Sequence, residues 1–127
     1  MMTPDEIYKM LSSMEEIDIE EAEQYSFDGA EGVLANFAIY KGNIDEVRER
    51  LLTAYDEKDY KNYEITIHSI KSNLAVIGVM GISAMAKELE MASKAMETDT
   101  VEEKHPVFIK KWDEFNSIIK KIDFQKG

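Results

Sequence analysis

Two residues three positions apart, His68 and Lys71, are the best candidates for chemistry in this chain. They lie in His68-Ser69-Ile70-Lys71-Ser72-Asn73-Leu74-Ala75-Val76-Ile77-Gly78, whose apolar residues recur at helical spacing. A free imidazole titrates near pH ~6.5, so at pH 7 it is largely neutral and nucleophilic. At about 100° per residue, Tyr63, Ile67, Ile70, Leu74 and Ile77 share an arc of about 80° and form the buried stripe of this helix. His68 points about 120° from the centre of that stripe, with Glu64, Lys71, Ser72, Ala75 and Val79 within about 60° of it. The imidazole is thus outside, between a lysine one turn on and a serine at the i+4 position. Ile65 and Val76 lie even further from the core stripe, where a helix surface usually carries charge. Two readings follow. Single apolar residues on a surface are ordinary. Alternatively, Ile65, Ser72, Ala75, Val76 and Val79 form a docking patch around the histidine.

The elements that hold these residues are helices throughout. Strict two-residue alternation is absent, and only Pro4 and Pro106 interrupt the apolar three-and-four spacing. Thr3-Pro4-Asp5-Glu6 reads as an N-cap, a proline at the first helical position and a capping-box acid, opening a short helix to about Ser12. A second short helix covers Ile19 to Tyr25, and Asp28-Gly29 breaks the pattern. From Ala30, the stripe Leu34, Phe37, Ile44, Val47, Leu51 and Ala54 runs to about Glu57. It stays in phase across Gly42-Asn43, which favours one helix over two. After a turn at Asp56-Glu57-Lys58-Asp59, the His68 helix runs from Tyr60 to Ile77 and ends at Gly78 to Gly81. Ile82, Met85, Leu89, Ala92 and Met96 stripe the next helix, to about Glu97. Thr100-Val101-Glu102-Glu103 reads as a second capping box. The last helix carries Val101, Phe108, Ile109, Trp112, Phe115, Ile119 and Ile122, and Pro106 either kinks it or divides off a first piece. Four long amphipathic helices joined by short turns predict an all-α fold, an antiparallel up-down-up-down four-helix bundle over residues 29–123. Two short capping helices occupy residues 1–28, and the 127 residues make a single domain. The eight methionines fall mostly on helical stripes, which favours core filler over a soft binding surface.

Composition excludes several classes of function. With 15 basic against 26 acidic residues the net charge is −11, which argues against nucleic acid or an anionic membrane as partner. There is no cysteine, hence no disulfide, thiolate zinc site or cysteine nucleophile. The polar, acidic N-terminus reads neither as a secretory signal nor as a transit peptide. No apolar run approaches the ~18 residues of a membrane span. No glycine-rich phosphate loop and no Gly-x-Ser-x-Gly elbow occurs, so no nucleotide or kinase site is signalled.

The stretch His68-Ser69-Ile70-Lys71-Ser72, with Ile77-Gly78 after it and Leu89-Glu90 on the next helix, resembles the histidine-containing phosphotransfer (HPt) domain family. The resemblance spans roughly Ala30 to Ile122. It departs from the family at Ser72, where glycine is most often found. The resemblance implies a phosphorelay intermediate in two-component signalling. His68 would be the phosphoacceptor, taking a phosphoryl group from an aspartyl phosphate on a receiver domain and passing it to another. Lys71 would supply a cation for the phosphoryl oxygens, and Ser72 and Ala75 the room for approach. Glu90 matches the family position that faces the histidine; accepting a hydrogen bond from Nδ1–H, it would leave Nε2 free. On that role alone, an amide at position 90 would serve nearly as well. The implied partners are response-regulator or hybrid-kinase receiver domains, which bring their own Mg²⁺; the chain itself would need no cofactor. It would be a cytoplasmic monomer and not an enzyme. The alternative is a non-catalytic helical adaptor that binds receivers without carrying phosphate.

The second histidine, His105, precedes Pro106 and reads as structural or solvated. Glu102-x-x-His105 matches half of a carboxylate di-metal site, but such sites need two of these motifs and further inward glutamates. No metal centre is expected.

Overall fold

Thr3 opens the first helix through reciprocal hydrogen bonds. Its Oγ1 accepts from Glu6 N at 3.2 Å, and Glu6 Oε1 accepts from Thr3 N at 2.8 Å. The computed structural model describes residues 2–124, and among these every regular element is a helix: α1 (Pro4–Ser13), α2 (Ile19–Gln24), α3 (Gly29–Asp56), α4 (Tyr60–Val76), α5 (Met80–Lys94) and α6 (Thr98–Lys120). The four long ones close a ring of contacts, α3 on α4, α4 on α5, α5 on α6 and α6 on α3, while α1 and α2 pack against α3. Trp112, Tyr63, Phe37, Phe108 and Phe115 fill the space between them. Burying such apolar surface, at roughly 25 cal/mol per Å², is the main term holding the helices together.

Gly42 lies inside one uninterrupted α3. The turn after α3 uses Lys58 at φ 55°, and Asp59 then caps α4 by accepting from Asn62 N at 3.2 Å. The α4–α5 connection is tighter. Gly78 has φ 78°, and a Cβ there would run into the carbonyl of Asp18, whose own N–H donates to Gly78 O at 2.8 Å. The start of α2 is thereby pinned to the end of α4.

Three expectations need correction. The Thr100 capping box does not form: α6 begins at Thr98, with Glu97 as an N-cap that makes no side-chain bond. Pro106 sits inside α6 and divides off no separate piece. The methionines are core filler only in part: three of the seven described ones pack against the core. Met10, Met14 and Met85 are half-buried, and Met2, Met80, Met91 and Met96 are exposed; Met1 lies outside the described residues. Met96 leaves the α5 stripe because the helix has ended before it, in a left-handed turn at φ 57°. Tyr40, His105 and Asn116 complete the buried stripes of α3 and α6. The hydroxyl of Tyr40 accepts from Trp112 Nε1 at 3.0 Å and donates to Asn116 Oδ1 at 2.5 Å.

Candidate functional site

α4 presents His68 to solvent, its side chain 57 % exposed, while Ile67 and Ile70 beside it are buried. Across the α4–α5 contact lies Glu90, with its side chain 12 % exposed. Its Oε2 is 2.6 Å from His68 Nδ1, and its Oε1 accepts from Lys71 Nζ at 2.7 Å. An ionised carboxylate only accepts, so in the neutral ring Nδ1 carries the proton and Nε2 keeps its lone pair. The side chain that fixes the tautomer comes from a different helix than the imidazole.

Burial by itself would raise the carboxyl of Glu90. The hydrogen bonds from Lys71 and His68, with the charge of Lys71, outweigh it and hold the group below the usual carboxylate range. Glu90 therefore stays ionised at neutral pH, nearly enclosed and with a donor on each oxygen. A glutamine there would offer a single acceptor oxygen to two donors, so it is not the near-equivalent that the Nδ1 role alone suggested. Lys71 likewise differs from expectation. Its ammonium is engaged by Glu90 and only 25 % exposed, so its positive charge reaches the site as part of this pair.

Sequence reasoning overlooked Ser83. This serine is buried on α5, and its Oγ donates to the main-chain carbonyl of Lys71 at 2.9 Å. The available signal was a polar residue on the Glu90 side of an otherwise apolar and small stripe.

The expected docking patch is partly formed. Ile65 is 55 % exposed, Ser72 is exposed, and Ala75 and Val76 are half-buried. Val79 does not belong to it, being fully buried in the core. The wheel carried α4 beyond its end; the helix stops at Val76, Gly78 turns the chain, and Val79 becomes the residue before α5, its N–H donating to Leu74 O at 2.9 Å. The exposed methionines Met80 and Met91 stand on α5 instead, Met91 next to Glu90 in sequence.

His105 is far from solvent, at 5 % exposure. Its ring stacks on Tyr55 at 3.6 Å between centroids, and Nδ1 is 2.7 Å from Tyr63 Oη. Among the described residues no three His, Cys, Asp or Glu side chains group closely enough to hold a metal ion, and no helix is long and apolar enough to cross a membrane. Comparison of the chain with family models, with curated proteins and with solved structures found no match.

Proposed function

We propose that this chain is a phosphorelay intermediate of the histidine-containing phosphotransfer kind, with His68 as phosphoacceptor. The observation that carries this reading is the Nδ1–Glu90 hydrogen bond at 2.6 Å, which leaves Nε2 of an exposed imidazole as the free nucleophile. The reading takes α3 to α6 as an antiparallel up-down-up-down bundle with α1 and α2 at one end, an arrangement supported by the ring of contacts among the long helices.

In the reaction the Nε2 lone pair attacks phosphorus in a receiver's aspartyl phosphate. The N–P bond forms as the P–O bond to the aspartyl carboxyl breaks, and the carboxylate leaves on the receiver. The ring becomes an imidazolium whose Nδ1–H remains on the Glu90 carboxylate, so the new positive charge meets a negative one already in place. Such transfer depends on in-line positioning and charge neutralisation more than on covalent machinery, and the receiver brings the metal ion. Lys71 keeps Glu90 ionised and stands one turn from the entering phosphoryl group. Onward transfer is the same step reversed on a second receiver. Ser72 and Ala75 are small enough for a receiver backbone to approach, and Ile65 and Val76 offer apolar surface beside them. The protein would act in the cytoplasm, without a nucleotide or cofactor of its own.

Incubation with a phosphorylated receiver domain tests the reading. The chain should gain a phosphoryl group that is acid-labile and base-stable, and mapping should place it on His68. A chain that binds the receiver tightly and gains none is instead an adaptor.

A further inference from the structure

We propose that Ser83 is a positioning residue for the His68 imidazole, acting through Lys71 and Glu90; its bearing on phosphoryl transfer rests on the function proposed above. Ser83 and Glu90 lie about two turns apart on one side of α5. Both grip Lys71, Ser83 Oγ at its main-chain carbonyl (2.9 Å) and Glu90 Oε1 at its ammonium (2.7 Å). Glu90 uses its other oxygen for His68 Nδ1. The site is therefore a two-point clamp. One contact fixes the backbone of α4 against α5, and the other spends that fixed register on the orientation of a side chain.

A serine at this place needs a reason. It is buried at the α4–α5 contact among Ile82, Ala86 and Leu89, where alanine would pack without a polar atom to satisfy. A helical carbonyl such as that of Lys71 has a second lone pair, and the Ser83 hydroxyl takes it. Neither the side chain nor the bond is exposed to a partner, so the hydroxyl acts within the molecule. What it can set is the height of α5 along α4, and hence where Glu90 meets Nδ1. Hydrogen bonds weaken steeply as angle and distance drift, so a small slip at Ser83 is felt at the imidazole. With the Nδ1–H···Oε2 bond loosened, the ring populates the other tautomer, in which Nε2 carries the proton and cannot attack.

The test compares Ser83→Ala and Ser83→Thr with the wild-type chain. The imidazole ¹⁵N spectrum reports the tautomer ratio of His68 without any partner. Phosphorylation by ammonium phosphoramidate reports Nε2 reactivity without receiver docking. We expect Ser83→Ala to fold normally, to shift the ratio toward the Nε2–H tautomer, and to slow phosphorylation by about 3- to 10-fold, since small misplacements of reacting groups cost rate. Ser83→Thr retains the hydroxyl and should keep the wild-type tautomer ratio, whatever its added methyl does to the melting temperature. A wild-type ratio in Ser83→Ala overturns the proposal. So does a folded Ser83→Thr that behaves as the alanine variant does, because packing rather than the hydroxyl would then be responsible. If wild-type His68 accepts no phosphoryl group while the tautomer shift appears, the proposed function fails and the positioning role stands.

Discussion

The two histidines of this chain are both held at Nδ1 and do opposite things. His68 meets a carboxylate at 2.6 Å on the surface, and His105 meets a phenol at 2.7 Å in the core. A carboxylate can only accept, so it forces the proton onto Nδ1 and leaves Nε2 as a lone pair in reach of solvent. Tyr63 has one proton to give, and its best acceptor is Nδ1 of a neutral His105. Desolvation raises the phenol and lowers the imidazole to a pKa of about 4, although the charge of Asp56 pulls the imidazole the other way. Stacking on Tyr55 completes the enclosure. Chemistry thus depends less on the imidazole than on which partner takes its first nitrogen and what covers the second.

The strongest way to break this contrast is to remove each ring. His68→Gln should abolish phosphoryl uptake altogether and leave the melting temperature unchanged, because the side chain is outside the core. His105→Ala should do the reverse, costing about 3 kcal/mol of stability in denaturant titration through a cavity and an orphaned phenol, with transfer intact. Exchange of those two outcomes would put the site on the wrong histidine.

Acid should expose the buried ring next. The folded pKa of His105 lies near 4, below the unfolded value of 6.5, so the unfolded chain takes up the proton first as pH falls. The stabilising contribution is complete above pH 6.5, is lost between 6.5 and about 4, and changes no further below that. His105→Phe keeps a flat ring on Tyr55 and should flatten this part of the stability curve. A variant with the wild-type slope would show that other groups produce it.

The surface around the exposed histidine is sharpened by Ser72→Arg. Arginine is a good helix former and Ser72 is exposed, so melting should stay within about 0.5 kcal/mol of wild type. Receiver binding and transfer from a receiver should fall together, while phosphorylation by phosphoramidate persists. Wild-type transfer from the receiver would mean that partners dock elsewhere.

The smallest expected effect is at the shared carboxylate. Glu90→Gln leaves one acceptor for two donors, and transfer should slow by about tenfold, equivalent to roughly 1.4 kcal/mol. Lys71→Ala should slow it comparably and loosen the hold on the His68 tautomer, since Glu90 loses the ammonium that keeps it ionised. An unaltered rate in both variants would reduce the pair to surface electrostatics.

Much of this molecule was legible in its residues. Tyr63, Ile67, Ile70, Leu74 and Ile77 are buried as their spacing requires, His68 is outside, and Thr3 builds its capping box. These are local properties: helical periodicity and caps depend on residues within a turn or two. Three of the errors share one cause. Val79, Met96 and the Thr100 box were assigned by running a helix past, or starting it after, its real boundary. Boundaries are settled by neighbours in space, as Gly78 against Asp18 shows.

The sequence by itself determined the helices, their buried faces and an outward imidazole with a lysine one turn on, because each follows from a period of 3.6 residues and the polarity of the side chains. The family resemblance already set Glu90 opposite His68; only the tertiary structure decided that the same carboxylate also takes Lys71, that Ser83 holds the Lys71 carbonyl, and that His105 is sealed between Tyr55 and Tyr63. The height of one helix along another is set by the packing of whole faces and by bonds between residues far apart in the chain. No local pattern encodes that height, and on it depends which ring nitrogen of His68 is free.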